Sequence, residues 1–238
     1  MNNIYISPHS DDICYSLGDC ISRNPGGYLI NIYTRSNYIN PTVSSILENQ
    51  LSIEEISTIR RKEDQLFANK VGLNLVDLSM NDASVVSNYL ERHLLTNTHQ
   101  DVDELEPQLL SAIMNRVSNS AARLFCPAAI GMHRNHVATM MCIVKNIDVL
   151  KRHFKICFYE EIPYSRGPDI RDQGQAKLQM LTNDRQFFRV KHHKQDNVSV
   201  KEQLIKIYQS QLKQPFDINR YFQGWETNEQ YESWLELR

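Results

Sequence analysis

An imidazole and two adjacent carboxylates stand within four residues in Ser7-Pro8-His9-Ser10-Asp11-Asp12, and two more imidazoles lie three apart in Gly131-Met132-His133-Arg134-Asn135-His136. Imidazole nitrogen and carboxylate oxygen are both ligands that zinc accepts. Neighbouring carboxylates cannot easily share one role: if one holds a metal, the other points elsewhere and is available as a general base for water activated by that metal. A plainer reading makes Asp11 and Asp12 helix caps, whose charge complements unpaired N–H groups, and His9 a polar loop residue. His133 and His136 taken alone also read as surface histidines. Together the two clusters supply three metal ligands and two acid–base groups, more than a structural loop needs.

These groups require a scaffold that brings distant loops together. Residues 3–7 form a short strand ending at Pro8, and 12–22 carry Ile13, Leu17, Cys20 and Ile21 at helical spacing. The Gly26-Gly27 turn leads into 28–34, an apolar run of the kind a strand buried on both faces requires. Helical periodicity over 44–71 closes at Gly72, a strand follows at 73–78, and the pattern weakens over 81–108, where Asp101, Asp103, Glu104 and Glu106 suggest a solvated loop or helix start. A helix at 109–118, a strand at 123–126, a helix at 137–150 and a strand at 155–159 complete the alternation. Such a series predicts an α/β, Rossmann-like fold, a mostly parallel sheet flanked by helices on both faces. Ligands of these sheets bind beyond the carboxyl ends of the strands, where both clusters fall. With no linker in view, 1–238 reads as a single domain, with a polar insertion near 164–199, a helix at 200–212 and a helical, aromatic C-terminal tail.

Composition narrows the classes. With 26 Lys plus Arg against 28 Asp plus Glu, the net charge of -2 provides no global field toward nucleic acid or anionic lipid. Apolar runs are too short to span a membrane, and no basic, apolar or cleavage segment of a signal peptide precedes the first strand, so a cytoplasmic location is expected. The five cysteines include no C-x-x-C pair and read as reduced, buried thiols.

The chain resembles the LmbE-like, or PIG-L, zinc-dependent N-deacetylases, which remove acetyl groups from N-acetylglucosamine-type sugars and related glycoconjugates. Their H-P-D-D-E motif is matched by His9-Ser10-Asp11-Asp12-Ile13, with serine and isoleucine in place of proline and glutamate, and Gly18-Asp19 stands where the family has Gly-Gly. Similarity extends to an R-x-x-E-D start at Arg60, to Met80-Asn81-Asp82-Ala83, to Tyr159-Glu160-Glu161-Ile162-Pro163-Tyr164, and to Lys201 with Tyr208-Gln209-Ser210-Gln211. The resemblance implies His9, Asp12 and His136 as ligands of one Zn2+, Asp11 as base, His133 beside the oxyanion, and Arg60 and Asp82 as sugar contacts. Arg60 has a competing reading as a solvated charge in the run 60–64. Tyr164 and Arg166 edge a pocket or belong to a turn at Pro163, and His192-His193 reads as basic surface.

The expected function is hydrolytic N-deacetylation of an N-acetylated amino sugar or small glycoconjugate, with Asp11 or His133 protonating the leaving amine. Other readings are a zinc amidase acting on a non-sugar amide, a receiver-like phospho-acceptor domain, and a non-catalytic glycan-binding domain. The expected partner is a small molecule, and the aromatic tail serves either packing or a contact in a homo-oligomer.

Overall fold

The structure, a computed structural model, describes residues 2–40, 51–86, 98–117, 122–194, 199–212 and 215–238. A seven-stranded sheet in the order β3-β2-β1-β4-β5-β7-β6 runs through it: β1 Ile4–Ser7, β2 Tyr28–Asn31, β3 Asn74–Asp77, β4 Ala122–Pro127, β5 Phe154–Tyr159, β6 Phe187–His193 and β7 Tyr231–Leu237. The first five strands are parallel, while β7 pairs antiparallel with both β5 and β6. The expected Rossmann-like α/β fold is therefore present, with an antiparallel extension that the sequence pattern did not announce.

Alternation along the strands divides the core. Ile4, Ile6, Leu124, Cys126, Ile156 and Phe158 face one side, where α4 (Thr98–Met114), α5 (Arg134–Lys145) and α6 (Ile147–Leu150) pack; the short α3 (Ala83–Val86) precedes them in the chain. Tyr5, Leu29, Phe125, Cys157 and Tyr159 face the other, against α1 (Asp12–Arg23), α2 (Ile53–Val71) and α8 (Ser199–Ile205). Burial on both faces explains why these strands read as continuous apolar runs.

Several boundaries differ from the sequence reading. The helix expected over 44–71 starts at Ile53, because Ser52 and Glu55 form a capping box; residues 44–50 lie outside those described. Gly72 caps its end with φ 72°. The acidic stretch belongs to α4, Thr98–Met114, so the helix expected over 109–118 starts earlier and ends at Met114; residue 118 lies outside those described. One expected helix over 137–150 is two, separated at Asn146, and its start moves back to Arg134. Residues 164–199 are no plain polar insertion: they hold a 3-10 helix, Tyr164–Arg166, then α7 (Pro168–Leu181) and β6. The helix expected over 200–212 ends at Ile205 in α8, and the helical tail is instead the strand β7 after two 3-10 helices, Ile218–Tyr221 and Trp225–Thr227. The β7 pattern hid because two of its buried residues are charged: Glu232 pairs with the fully buried Lys201, and Glu236 with Arg123. Among the described residues no helix is long and apolar enough to cross a membrane.

Strand order reverses at β1, whose neighbours are β2 on one side and β4 on the other. The loops leaving β1 and β4 must part to opposite faces there, opening a crevice at the carboxyl edge. The two histidine-bearing loops are those two.

Candidate metal centre

The loop from β1 to α1 is pinned by its own residues. Ser7 Oγ donates to the His9 carbonyl and accepts from Ile13 N–H, and His9 N–H donates to Asp12 Oδ2 at 2.7 Å. This turns the His9 ring and the Asp12 carboxylate toward one point. His136 reaches the same point from the first turns of α5, which His133 caps by accepting the Asn135 N–H at its Nδ1, 3.3 Å away.

Three donor atoms result in a nearly equilateral triangle. His9 Nδ1 lies 3.3 Å from Asp12 Oδ2, His136 Nε2 lies 3.2 Å from the same oxygen, and the two nitrogens are 3.1 Å apart. Ligands about 2.0–2.1 Å from a tetrahedral zinc are separated by about 3.3–3.4 Å, so the triangle is one face of such a site. His133 completes a wider group in which donor atoms of the three histidines lie within 4.8 Å of one another. The edges of the tighter set with Asp12 are the ones that match the coordination geometry.

The outer side of the His136 ring is held as a metal-binding histidine requires. His136 Nδ1 meets Glu161 Oε1 at 3.1 Å, and the other Glu161 oxygen accepts the Ile130 N–H. His9 Nε2 lies 2.9 Å from the Asn135 carboxamide, which itself donates to Asp82 Oδ1 at 3.0 Å. Glu161, Asn135 and the Ser36 hydroxyl described below are participants that sequence reasoning missed. The one signal for Glu161 was a charged pair, Glu160-Glu161, ending a buried apolar strand.

Electrostatics point the same way. Asp12, Asp82 and Glu161 bear on the two histidine rings while Arg60 acts on Asp11 and Asp82, a surplus of carboxylates that protonated histidines or a divalent cation would balance. Burial opposes a charge on His136, but Asp12 and Glu161 outweigh it and push its imidazolium up to about 10. His9 is raised likewise, against burial, by Asp12 and Asp82. Burial would raise Asp12 and Asp82 as well, yet their histidine partners hold both well below the usual carboxylate range. Asp11 differs: burial and the adjacent Asp12 raise it, against the pull of Arg60 3.6 Å away.

Each predicted site residue has a definite place. His9, Asp11, Asp12, Arg60, Asp82 and His133 line one cleft of about 500 Å³, and His136 is buried beneath them. Arg60 is 3% exposed, which rules out a solvated helix charge; it reaches Asp11 and donates to Ser36 Oγ at 2.9 Å. Ser36 in turn donates to Asp82 at 2.7 Å, so Arg60 and Asp82 belong to one hydrogen-bonded chain. Tyr164 and Arg166 edge the cleft. A side chain at Gly131, where φ is 87°, would meet the Tyr164 ring at 2.7 Å, so glycine is what lets that ring close over the loop. His192 lies apart on β6, where its Nε2 meets Asp19 at 3.0 Å. Serine at position 10 donates to the buried Asp64 at 2.9 Å, a partner that proline would not supply.

The sequence left Asp11 and His133 both open as the proton donor, and the surroundings of His133 disfavour its charged form. Its Nδ1 accepts a hydrogen bond, and burial followed by the charges of His9 and His136 pushes its imidazolium down to about 2. The ring is neutral, with its proton on Nε2.

No family model matches the chain, and no curated protein matches it. Solved structures do. It is similar to the A40926 pseudoaglycone deacetylase, with a TM-score of 0.70 at 18% identity, covering 100% of this chain and 97% of that one. It is similar also to teicoplanin deacetylase in a zinc-inhibited form (TM-score 0.71, 15% identity) and to a deacetylase–teicoplanin complex (0.70, 16%), each covering 100% of this chain and 98% of the other. The chain thus has the LmbE-like α/β fold of deacetylases, as its motifs implied. At these identities the likeness is one of fold.

Proposed function

We propose that this chain is a zinc-dependent N-deacetylase acting on an N-acetylated amino sugar or small glycoconjugate. One observation carries the reading: His9 Nδ1, Asp12 Oδ2 and His136 Nε2 form a face with edges of 3.1–3.3 Å, open to a cleft that Asp11 also lines. Those three side chains would hold the metal, which when bound would supply Lewis acidity, lowering the pKa of water and polarising an amide carbonyl.

Asp11 does the proton work. Its carboxylate takes a proton from the attacking water as the oxygen bonds to the acetamide carbon, and Arg60 holds that carboxylate in place. His133 Nε2–H donates to the oxygen that gains charge, and a neutral ring suffices for this. With the His133 imidazolium pushed down to about 2, the proton that the leaving nitrogen needs comes from Asp11. The C–N bond then breaks to give acetic acid and the free amine, and the acid passes its proton to the amine or to solvent, leaving acetate and balancing atoms and charge. Arg60 and Asp82 stay in the substrate assignment as cleft-lining residues, with added work in positioning: Arg60 on Asp11, Asp82 on Asn135.

One continuous sheet containing strands from both ends supports reading the chain as a single catalytic unit. Five buried, unpaired cysteines accord with the cytoplasmic location expected from the sequence. Elemental analysis of the purified protein, followed by amine release from a panel of N-acetylated sugars, tests the proposal. One equivalent of zinc with acetate and amine released in equal amounts is the expected result. Zinc without release from any sugar would turn the reading toward a non-sugar amide or a glycan binder.

A further inference from the structure

The cleft changes character away from its histidines. Nine of the fourteen described arginines pair with a carboxylate. Arg166 and Arg220 are among the five that do not, and both line this cleft. Arg166 ends the 3-10 helix that follows β5, and its guanidinium carbon sits 4.9 Å from the centre of the Trp225 ring. A cation–π contact of this kind anchors the guanidinium without consuming its N–H groups, which remain for a ligand. The Arg166 Nε is buried, with no hydrogen-bond partner among the described residues. An unsatisfied buried donor is costly, and an acceptor carried by a ligand would remove that cost. Arg220, exposed in the 3-10 helix Ile218–Tyr221, presents the second positive charge. Asp217 is the acidic lining residue on that chain segment, and its carboxylate accepts the Asn219 N–H at 3.0 Å.

We propose that Arg166 and Arg220 form an anion-binding subsite, and that the substrate is an N-acetylated amino sugar bearing a carboxylate or phosphate away from its acetamide. The inference rests on the deacetylase reading of the same cleft. Both oxyanions match the guanidinium fork and share its charge-assisted hydrogen bonding.

Calorimetric titration of the zinc-loaded protein with three probes tests this: N-acetylglucosamine 1-phosphate, N-acetylmuramic acid and the neutral methyl glycoside of N-acetylglucosamine. At least one anionic probe should bind about ten- to a hundredfold tighter than the neutral one. In the Arg166→Gln/Arg220→Gln double variant that ratio should fall to within about threefold of unity. Arg220→Gln alone, at an exposed position, should lower the ratio as well and serves if the double variant does not fold. Whichever anionic probe gains identifies phosphate or carboxylate. No anionic advantage in the wild type, or one that survives in the variants and so belongs to the metal, overturns the subsite. Amine release from the neutral glycoside without anionic preference would defeat the subsite alone. Anionic preference lost in the variants, with no amine released from any probe, would defeat the deacetylase reading alone.

Discussion

If the site takes zinc as proposed, capture has to displace protons, and the charged histidines set how many. In the metal-free chain Asp12 and Glu161 hold the His136 imidazolium up to about 10, against burial. Zinc takes only the neutral ring, so binding below that pH expels the His136 proton, and His9, raised too, expels a second below its own pKa. The sign follows: affinity is weakest in acid, climbs with pH, and loses its His136 dependence above about 10. One proton per zinc makes affinity rise tenfold per pH unit, so from about pH 6 to pH 8 His136 alone contributes about a hundredfold, or about 2.7 kcal/mol. His9 adds to this wherever it is still protonated. Competition against a chromophoric chelator across that interval measures the slope, and calorimetry in buffers of different ionisation enthalpy counts the protons directly. Glu161→Gln removes one of the two carboxylates that sustain the charge, so its slope should flatten at a lower pH than in the wild type. A wild-type affinity that moved by less than about threefold over the two pH units would refute the charged pair and the reasoning built on it.

Three other outcomes are expected. Asp11→Asn keeps size and polarity but cannot accept a proton, so it should retain zinc and lose about 10²–10⁴-fold in turnover; near-wild-type rates would assign the base elsewhere. His133→Ala should cost about 10²–10³-fold in turnover without lowering zinc content, and should leave both limbs of the pH–rate profile in place because the ring works neutral; a displaced alkaline limb would restore the protonated ring. Lys201→Met leaves the buried Glu232 without its cation and should destabilise the fold by about 3–5 kcal/mol in urea titration, with a loss below about 1 kcal/mol counting against a structural role for the pair.

What the sequence disclosed follows burial and proximity along the chain. Strands β1, β2, β4 and β5 showed because both faces are covered and most positions are apolar, and β3, only partly buried, showed through its Leu75-Val76 centre. Strand β6 escaped notice because Arg189, Lys191 and the two histidines interrupt it, and β7 because Glu232 and Glu236 sit where apolar residues would advertise a strand. At the site, His9, Asp11 and Asp12 share one loop and His133 and His136 one helix start, so short spacing revealed them. Ser36, Asn135 and Glu161 matter through partners on other elements, such as Ser36 with Asp82 or Glu161 with His136, and spacing carries no trace of that. Arg60 was open to two readings because a charge run looks alike solvated or buried; the Asp11 and Ser36 contacts decide it.

Glu232 also sets a timetable for synthesis. Its two carboxylate oxygens accept the backbone N–H groups of Asp19 and Cys20, the first of them 213 residues earlier in the chain, while one also receives Lys201. At about 5–20 residues per second, a ribosome needs roughly 10–40 s to add the brace after the helix that it steadies. Throughout that interval the nascent chain carries the first histidine-aspartate loop next to a helix lacking its clamp. The final geometry of that loop is thus completed late, and the last strand to be made is what fastens the first helix.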